Sequence, residues 1–280
     1  MIVKDLGGHS GCKILLCQDN DKYFVRKISS SVEYNHRLES QCIKQKNFKT
    51  TTVKVPKILN SGYESELFYF DMEYVQGITL AKYISKIDVS KISSIADLLV
   101  SNIDFNENVL SDDADYSNKI KELIDKTSHL NNKYINSALN YLTEYSWNDF
   151  SKSFCHGDLT LENIIVKNGE LYYIDFLDSF ANSWILDIGK LLQDADCFWS
   201  YRNDEKFDVN TKLRLIILKE ILLEKLEHIN KKYVKDAYAA LLLNLIRIYP
   251  YAHDDKTIEF LDRNTNRVLT LLRGDEKWLL

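Results

Sequence analysis

A two-residue turn, Asn168-Gly169, separates two apolar runs in the second half of the chain and constrains the fold more than any other feature. Asn-Gly between apolar segments is the strongest short signal for a β-hairpin with a two-residue loop, and such a turn fixes the register of both strands. Counting outward from the turn brings Asn163 beside Asp175 at the open end of the hairpin, with Asp158 held at the same end. The predicted pairs are Lys167 with Glu170, Val166 with Leu171, Ile165 with Tyr172, Ile164 with Tyr173 and Asn163 with Ile174.

The three side chains that meet at this end supply two carboxylates and one amide oxygen. Oxygen ligands of this kind suit Mg²⁺, which usually takes one or two protein carboxylates together with substrate phosphates. An isolated Asp or Asn beside a turn is usually a cap or a solvated loop residue, but three that converge from an apolar hairpin indicate a site. His156, two residues before Asp158, is expected to be a packed, hydrogen-bonded core histidine rather than a base.

The spacing of apolar residues divides the chain near Gly77 into a β-rich part and a helical part. The elements predicted before Gly77 are a hairpin over 13–18 and 22–28, a helix over 32–48 and a strand over 68–74. After Gly77 the helical pattern is interrupted by the strand-like segment 154–180. The predicted helices are 79–103, 116–145, 211–229, 233–248 and 257–273. The predicted fold class is therefore α+β.

Composition and charge argue against several classes of partner. The 280-residue chain carries 36 Lys and Arg against 41 Asp and Glu, so its formal charge of −5 disfavours nucleic acid and anionic membranes. No uncharged apolar run approaches the roughly 18 residues that would cross a bilayer. The five cysteines are scattered without metal-ligand spacing. We therefore expect neither zinc nor disulfides, no membrane association and a cytoplasmic location.

The segment around the hairpin carries a resemblance to a known family. His156-Gly157-Asp158, with Asn163 five residues after the aspartate and Ile174-Asp175-Phe176 beyond the turn, resembles the catalytic and metal-binding loops of the aminoglycoside phosphotransferase and choline kinase superfamily. These are small-molecule kinases with a protein-kinase-like fold. The resemblance implies that Asp158 is the catalytic base and that Asn163 and Asp175 hold Mg²⁺. It also implies a two-lobed α+β fold, with a small β-rich N-lobe over 1–76 and a larger helical C-lobe over 77–280.

The resemblance extends, in the same chain order, over residues 6–194. It implies a nucleotide-binding set made of Gly8, Ser10 and Gly11 in a glycine-rich loop, Lys27 at a strand end, and Glu73 and Val75 in the hinge segment 72–77. The strand lysine requires an acidic partner on the following helix. Glu39 is the first choice and Glu33 the second, while Gln41 stands at a position that could also face Lys27. Asp187 is expected to support the catalytic loop without acting as a catalyst.

The acceptor pocket of this family is built from the helical lobe, which makes Arg247, Tyr249 and Tyr251 candidate substrate contacts. Pockets for polycationic aminoglycosides are typically acidic. The aspartates that could supply such a pocket, or could equally be solvated loop charges, are Asp194, Asp196, Asp254 and Asp255. Arg247 would instead favour an anionic acceptor such as a sugar phosphate.

The sequence also departs from protein kinases in this region. Gly157 stands where an arginine would clasp an activation-loop phosphate, Asp175-Phe176-Leu177 lacks the usual glycine, and no Ala-Pro-Glu follows. We therefore expect a kinase that transfers the γ-phosphate of Mg²⁺-bound ATP or GTP to a hydroxyl of a sugar, an amino alcohol such as choline, or an aminoglycoside. The alternative is a nucleotide-binding scaffold without transfer activity, a pseudokinase. The oligomeric state is left open.

Overall fold

The computed structural model describes residues 1–7, 11–103, 113–147, 150, 153–204 and 207–274, with the backbone alone at 113–114. The N-terminal elements are β1 (Ile2–Asp5), β2 (Lys13–Asp19), β3 (Lys22–Ile28), α1 (Asn35–Asn47), β4 (Ile58–Glu64) and β5 (Leu67–Glu73). The five strands form one antiparallel sheet in the order β1-β2-β3-β5-β4, and α1 packs against β5. The predicted hairpin is confirmed as β2 and β3, joined by a turn in which Asn20 has a φ of 51°.

The face of the sheet that carries Val25 and Lys27 packs on α1 and forms a small apolar core. The strand predicted over 68–74 is confirmed as β5, and its alternate residues Phe68, Phe70 and Met72 are buried in this core. Asp71, on the other face of the strand, is also buried. Arg26 accounts for this burial, since its Nε and Nη2 donate to the two Asp71 carboxylate oxygens over 2.7 and 2.9 Å.

A second, smaller sheet links the two parts of the chain. It consists of β6 (Ile78–Thr79), β7 (Ile164–Lys167) and β8 (Glu170–Tyr173), in that order. The four pairs predicted from Lys167–Glu170 to Ile164–Tyr173 are all present, and Ile174 N donates to Asn163 O over 3.0 Å. Gly77 lies so close to this sheet that a Cβ there would collide with Val166 O. The chain can therefore enter the helical part at this point only through a residue without a side chain.

The rest of the fold is mostly helical. Its helices are α2 (Leu80–Ile84), α3 (Ile92–Val100), α4 (Asp113–Thr127), α5 (Lys133–Glu144), α6 (Trp184–Ala195), α7 (Val209–Ile229), α8 (Lys232–Ile246) and α9 (Asp255–Arg273). Two predicted helices are divided. A turn capped by Asp88 separates α2 from α3, and left-handed Asn131 followed by the N-cap Asn132 separates α4 from α5.

Helix α6 is buried along its whole length and lies against α8. Gly189 permits this close packing, because a Cβ there would lie 2.9 Å from the Ala240 backbone. The chain is thus a two-lobed α+β protein in which α6 runs beneath the segment that contains His156. Among the described residues, no helix combines the length and the apolar character needed to cross a membrane.

Candidate active site

The loop His156-Gly157-Asp158 is anchored by Asp187 in the first turn of α6. The two Asp187 carboxylate oxygens accept hydrogen bonds from His156 N over 2.6 Å and from Gly157 N over 2.7 Å. Burial raises the pKa of Asp187 to about 6, against the opposing effect of these two bonds. The geometry agrees with the expected role of Asp187 as a support for the loop.

Gly157 is required by the backbone of this loop for two reasons. Its φ of 89° lies in the left-handed region that only glycine adopts freely. A Cβ at this position would also collide with Ser179 Oγ and lie 2.8 Å from Leu177 O. Any side chain at position 157 would therefore collide with the segment that follows Asp175.

His156 connects the loop to the second half of the hairpin. Its Nδ1 accepts from Asp158 N over 3.2 Å, and its Nε2 donates to Ile174 O over 2.7 Å. Burial lowers the pKa of His156 to about 4, so the ring is neutral near pH 7 in the tautomer that these two bonds require. The buried side chain is a structural link, as expected, and leaves the adjacent carboxylate as the candidate base.

The three residues predicted to converge do lie together. Asn163 Nδ2 donates to Asp158 O over 2.8 Å and to Asp158 Oδ2 over 3.1 Å, which orients its Oδ1 away from Asp158. Asp175 follows Ile174, the residue that pairs with Asn163, and has a φ of 61°. A left-handed aspartate is uncommon and is typical of constrained sites.

The donor set at this end fits Mg²⁺. Asn163 Oδ1 makes no hydrogen bond within the described part of the chain, and the Asp175 side chain is 42% exposed. The covered residues contain no cluster of three or more His, Cys, Asp or Glu side chains that could enclose a metal. Asn163 and Asp175 would therefore hold an ion that takes its other ligands from water and substrate phosphates, as Mg²⁺ does.

Lys190 is a site residue that the sequence reasoning missed. Its Nζ lies 3.0 Å from Asp158 Oδ1. Burial alone would raise the pKa of Asp158, but the Lys190 charge and hydrogen bond together hold that pKa below its ordinary value. The signal was present, because Lys190 follows Asp187 by three residues and so lies on the same side of α6, one turn further along.

Lys27 is buried at the end of β3 and reaches into the same site. Its Nζ lies 2.5 Å from Asp175 Oδ1 and donates to Gln41 Oε1 over 3.1 Å. The lysine predicted to bind the nucleotide and one predicted metal ligand are thus paired directly. This pair joins the N-terminal sheet to the open end of the hairpin.

The predicted acidic partner of Lys27 is wrong. Glu39 instead accepts from Tyr63 OH over 2.7 Å, and Glu33 is exposed and precedes α1. The reason is helix phase, because at 100° per residue positions 39 and 41 lie on opposite sides of α1. Leu38 and Gln41 lie on the buried side of α1. The partner of Lys27 on this helix is therefore Gln41, the alternative that the sequence left open, and its side chain is a neutral amide.

The structure describes only some of the other predicted nucleotide contacts. Gly8 and Ser10 lie outside the described residues, and Gly11 has a φ of 75° two residues before β2. Glu73 is tied to the neighbouring segment, since its N donates to Lys57 O over 3.0 Å and its Oε2 accepts from Lys57 N over 3.1 Å. Val75 makes no recorded backbone hydrogen bond with other covered residues, so its backbone groups are available for a ligand.

The three candidate acceptor contacts separate in the structure. Tyr249 is wrong as an acceptor contact, because it is buried and its OH bonds Asp262 and Thr265. Tyr251 is exposed. Arg247 lies just after α8, stacks on Phe180 at 5.4 Å, and its charge contributes to lowering the pKa of Asp158.

The aspartates considered for a polycation pocket mostly have structural partners. Asp194 is buried and accepts from Leu161 N over 2.6 Å and from Ser200 N over 2.8 Å. Asp196 pairs with Arg267 at 2.9 Å. Asp254 caps α9, and Asp255 is the first residue of that helix. Three of these four side chains are therefore committed to the fold.

Comparisons with known proteins agree with this architecture. No protein-family model matches the sequence, and no curated protein matches it. A protein assigned as a fructosamine-3-kinase, from Haemophilus somnus 129PT, is 15% identical with a TM-score of 0.59, covering 95% of this chain and 90% of that chain. Aminoglycoside phosphotransferase APH(4)-Ia, in a ternary complex with ADP and hygromycin B, is 11% identical with a TM-score of 0.61, covering 98% and 94%.

A third structure, the gentamicin complex of APH(2")-IIa, is 18% identical with a TM-score of 0.56, covering 95% of this chain and 90% of that chain. Identities this low carry the likeness at the level of fold. The predicted resemblance is confirmed at that level. The chain therefore has the two-lobed fold of the aminoglycoside phosphotransferases and of the structure assigned as a fructosamine kinase.

Proposed function

We propose that the protein is a Mg²⁺-dependent kinase that transfers the γ-phosphate of ATP or GTP to a hydroxyl of a small acceptor. The acceptor is a sugar, an amino alcohol such as choline, or an aminoglycoside. The observation that carries the proposal is the convergence of Asp158, Asn163 and Asp175 at one end of the hairpin, with Lys27 in contact with the last of them. Structures with the same fold contain ADP or an ATP analogue beside an aminoglycoside, which supports both substrates.

In this proposal Asp158 orients the acceptor hydroxyl and takes its proton. Lys190 keeps that carboxylate ionised, and Asp187 fixes the loop that carries it. A Mg²⁺ ion held by Asn163 and Asp175 would neutralise charge on the phosphates. Such transfer depends on positioning and on stabilising charge, so a loop fixed by several hydrogen bonds suits it.

In this proposal the two lobes have different roles. Residues 1–76 bind the nucleotide, with Lys27 at its phosphates, Gly11 and its neighbours covering them, and the backbone of Val75 at the base. Residues 77–280 supply the catalytic and metal-binding loops together with the acceptor pocket. In the structure Lys27 pairs with Asp175. In this proposal the phosphates compete with Asp175 for Lys27, so nucleotide binding frees the metal ligand.

The second candidate is a nucleotide-binding scaffold without transfer activity, and one observation favours it. The helix position beside Lys27 is occupied by the neutral Gln41 where a carboxylate is expected. With no anion on α1 to hold it, Lys27 pairs with Asp175 instead.

A transfer assay separates the two candidates. The full chain is incubated with Mg²⁺, γ-labelled ATP or GTP, and a panel of sugars, amino alcohols and aminoglycosides. A kinase labels at least one acceptor, and Asp158→Asn lowers that rate by about 10² to 10⁴, the usual contribution of a positioned base. Asp178→Asn, an exposed carboxylate three residues after Asp175, serves as the control and keeps the rate. A scaffold binds nucleotide but labels no acceptor above the Asp158→Asn level.

A further inference from the structure

Two packed helices, α6 and α8, bring a cation each towards the site. Lys190 lies on α6 and Arg247 lies just beyond α8, and the two helices are locked together where Asn244 Nδ2 donates to Leu186 O over 3.4 Å. Lys190 contacts Asp158 directly, and the Arg247 charge acts on the same carboxylate. Both cations are therefore carried by a pair of packed helices, Lys190 in contact with the candidate base and Arg247 one turn beyond the Asn244–Leu186 contact that joins the helices.

Arg247 differs from Lys190 because no described residue gives it a carboxylate partner. Within the described residues its contacts are one hydrogen bond, from Nη1 to Asn244 Oδ1 over 3.0 Å, and the stack on Phe180. No hydrogen bond is recorded for Nε or Nη2 within the covered part of the chain. Burial lowers the pKa of Arg247, so an anion that paired with this guanidinium would offset the cost of its desolvation.

The carboxylates that act on Arg247 are already neutralised by other cations. Glu122 on α4 lies 2.8 Å from Lys119 Nζ and 2.6 Å from Lys126 Nζ. Asp158 lies 3.0 Å from Lys190 Nζ. Arg37 adds a further positive charge that acts on Arg247. Among the described side chains that act on Arg247, positive charge is therefore in excess, which is the opposite of what a polycationic ligand requires.

We propose that Arg247 binds an anionic group, a carboxylate or a phosphate monoester, on the acceptor whose hydroxyl lies at Asp158. The acceptor class is then a hydroxylated acid or a sugar phosphate rather than an aminoglycoside. A guanidinium offers paired N–H donors whose fork matches the two oxygens of either anion. This inference rests on the proposed kinase function and deepens it, because it selects among the acceptors that the fold allows.

The test uses acceptors that share a skeleton and differ in charge: glucose, glucosamine, glucuronate and glucose 6-phosphate, with kanamycin as a polycation. Transfer from Mg²⁺-nucleotide is measured for the wild type, Arg247→Met, Arg247→Lys and Arg263→Met. We expect kcat/KM at least tenfold higher for an anionic member than for glucose or glucosamine. Arg247→Met removes that preference by raising the acceptor KM tenfold or more, with the nucleotide KM unchanged, and Arg247→Lys keeps part of it.

Arg263 provides the matched control, because it also stacks on a phenylalanine, Phe260 at 5.8 Å, on α9. Its replacement should leave acceptor preference unchanged. A calorimetric arm measures binding of glucuronate and glucose 6-phosphate to the Mg²⁺-ADP complex of wild type and Arg247→Met. Weaker anion binding in Arg247→Met is the expected result.

The two arms distinguish the failure of this proposal from the failure of the proposed function. Transfer that favours glucosamine or kanamycin and does not respond to Arg247→Met overturns the anion site and leaves the kinase intact. Anion binding that Arg247→Met weakens, without transfer to any acceptor, supports the anion site and overturns the kinase. Absence of both transfer and anion binding overturns both.

Discussion

Gln41→Glu would place a carboxylate beside the Lys27 ammonium, where the structure has a neutral amide. Lys27 Nζ lies 3.1 Å from Gln41 Oε1 and 2.5 Å from Asp175 Oδ1, so the ammonium is shared between α1 and a predicted metal ligand. A second anion on the helix side competes for the ammonium and adds negative charge to the site. Both effects favour a cation at Asp175.

The size of the effect follows from these contacts. A hydrogen bond to a charged group contributes about 1.5–3 kcal/mol net, and the Lys27–Gln41 bond is already of this kind because its donor is an ammonium. Gln41→Glu gives the acceptor a charge as well, and a move from the lower to the upper end of that range, about 1.4 kcal/mol, corresponds to about tenfold in an equilibrium constant. We expect Gln41→Glu to tighten the Mg²⁺-dependent binding of a non-hydrolysable ATP analogue by about that factor. Gln41→Met, which removes the acceptor, should weaken it.

Calorimetric titration of the nucleotide analogue at several Mg²⁺ concentrations measures the affinities of Gln41→Glu, the wild type and Gln41→Met, which should fall in that order. Gln45→Glu is the control, since Gln45 is buried on the same helix one turn later and donates to Pro56 O over 2.9 Å instead of contacting Lys27. Equal Mg²⁺-nucleotide affinity in the three Gln41 forms would refute the reasoning. So would an equal gain in Gln45→Glu, because the effect would then not pass through Lys27.

Substitutions at Lys27, Gly157 and His156 test separate parts of the site. Lys27→Ala should weaken nucleotide binding or turnover about tenfold or more, the scale of a lost charge-assisted bond, and unchanged kinetics would place Lys27 outside the site. Gly157→Ala should abolish turnover, whereas Gly169→Ala, with a similar φ of 80° and no atom within 4 Å of its Cβ, should cost about 1–2 kcal/mol of stability and keep turnover. Burial lowers the pKa of His156 to about 4, so between pH 6.5 and pH 4 the unfolded chain binds a proton at this residue and the folded chain does not. The contribution of His156 to stability is therefore complete above pH 6.5 and declines towards pH 4. Urea unfolding at pH 7.5 and 4.5 should show the free-energy difference between wild type and His156→Gln falling by up to about 3 kcal/mol; a constant difference would contradict the pKa.

The features that the sequence predicted well are those set by local chemistry. Asn168-Gly169 determines the register of β7 and β8 without reference to the rest of the chain, so the neighbourhood of Asn163 and Asp175 followed from counting. The turn at Asn20 between β2 and β3 was predictable for the same reason. In contrast, β1 and β4 were missed, because β1 is exposed throughout and β4 nearly so, and neither shows alternating burial.

The site contacts that were missed depend on helix phase and on distant packing. Glu39 and Gln41 are two positions apart, and only the observed side of α1 that packs on the sheet shows which one meets Lys27. The three-residue spacing of Lys190 from Asp187 places both on one side of α6, but it indicates the contact with Asp158 only once α6 is known to run beneath the loop. Tyr249 and Tyr251 likewise lie in one short turn, where Tyr249 is buried and Tyr251 is exposed. Their residue type is the same, so the sequence does not predict this difference.

The separation of roles between the two aspartates is the central claim, and calorimetry with and without Mg²⁺ tests it most directly. Nucleotide is titrated into the wild type, Asp158→Asn and Asp175→Asn, and transfer is assayed in the same samples. Asp158→Asn should keep Mg²⁺-nucleotide binding while transfer falls by about 10² to 10⁴. Asp175→Asn should lose the Mg²⁺-dependent part of binding together with transfer. Equal binding losses in both variants would contradict the assignment of roles, and full transfer in either would contradict the kinase itself.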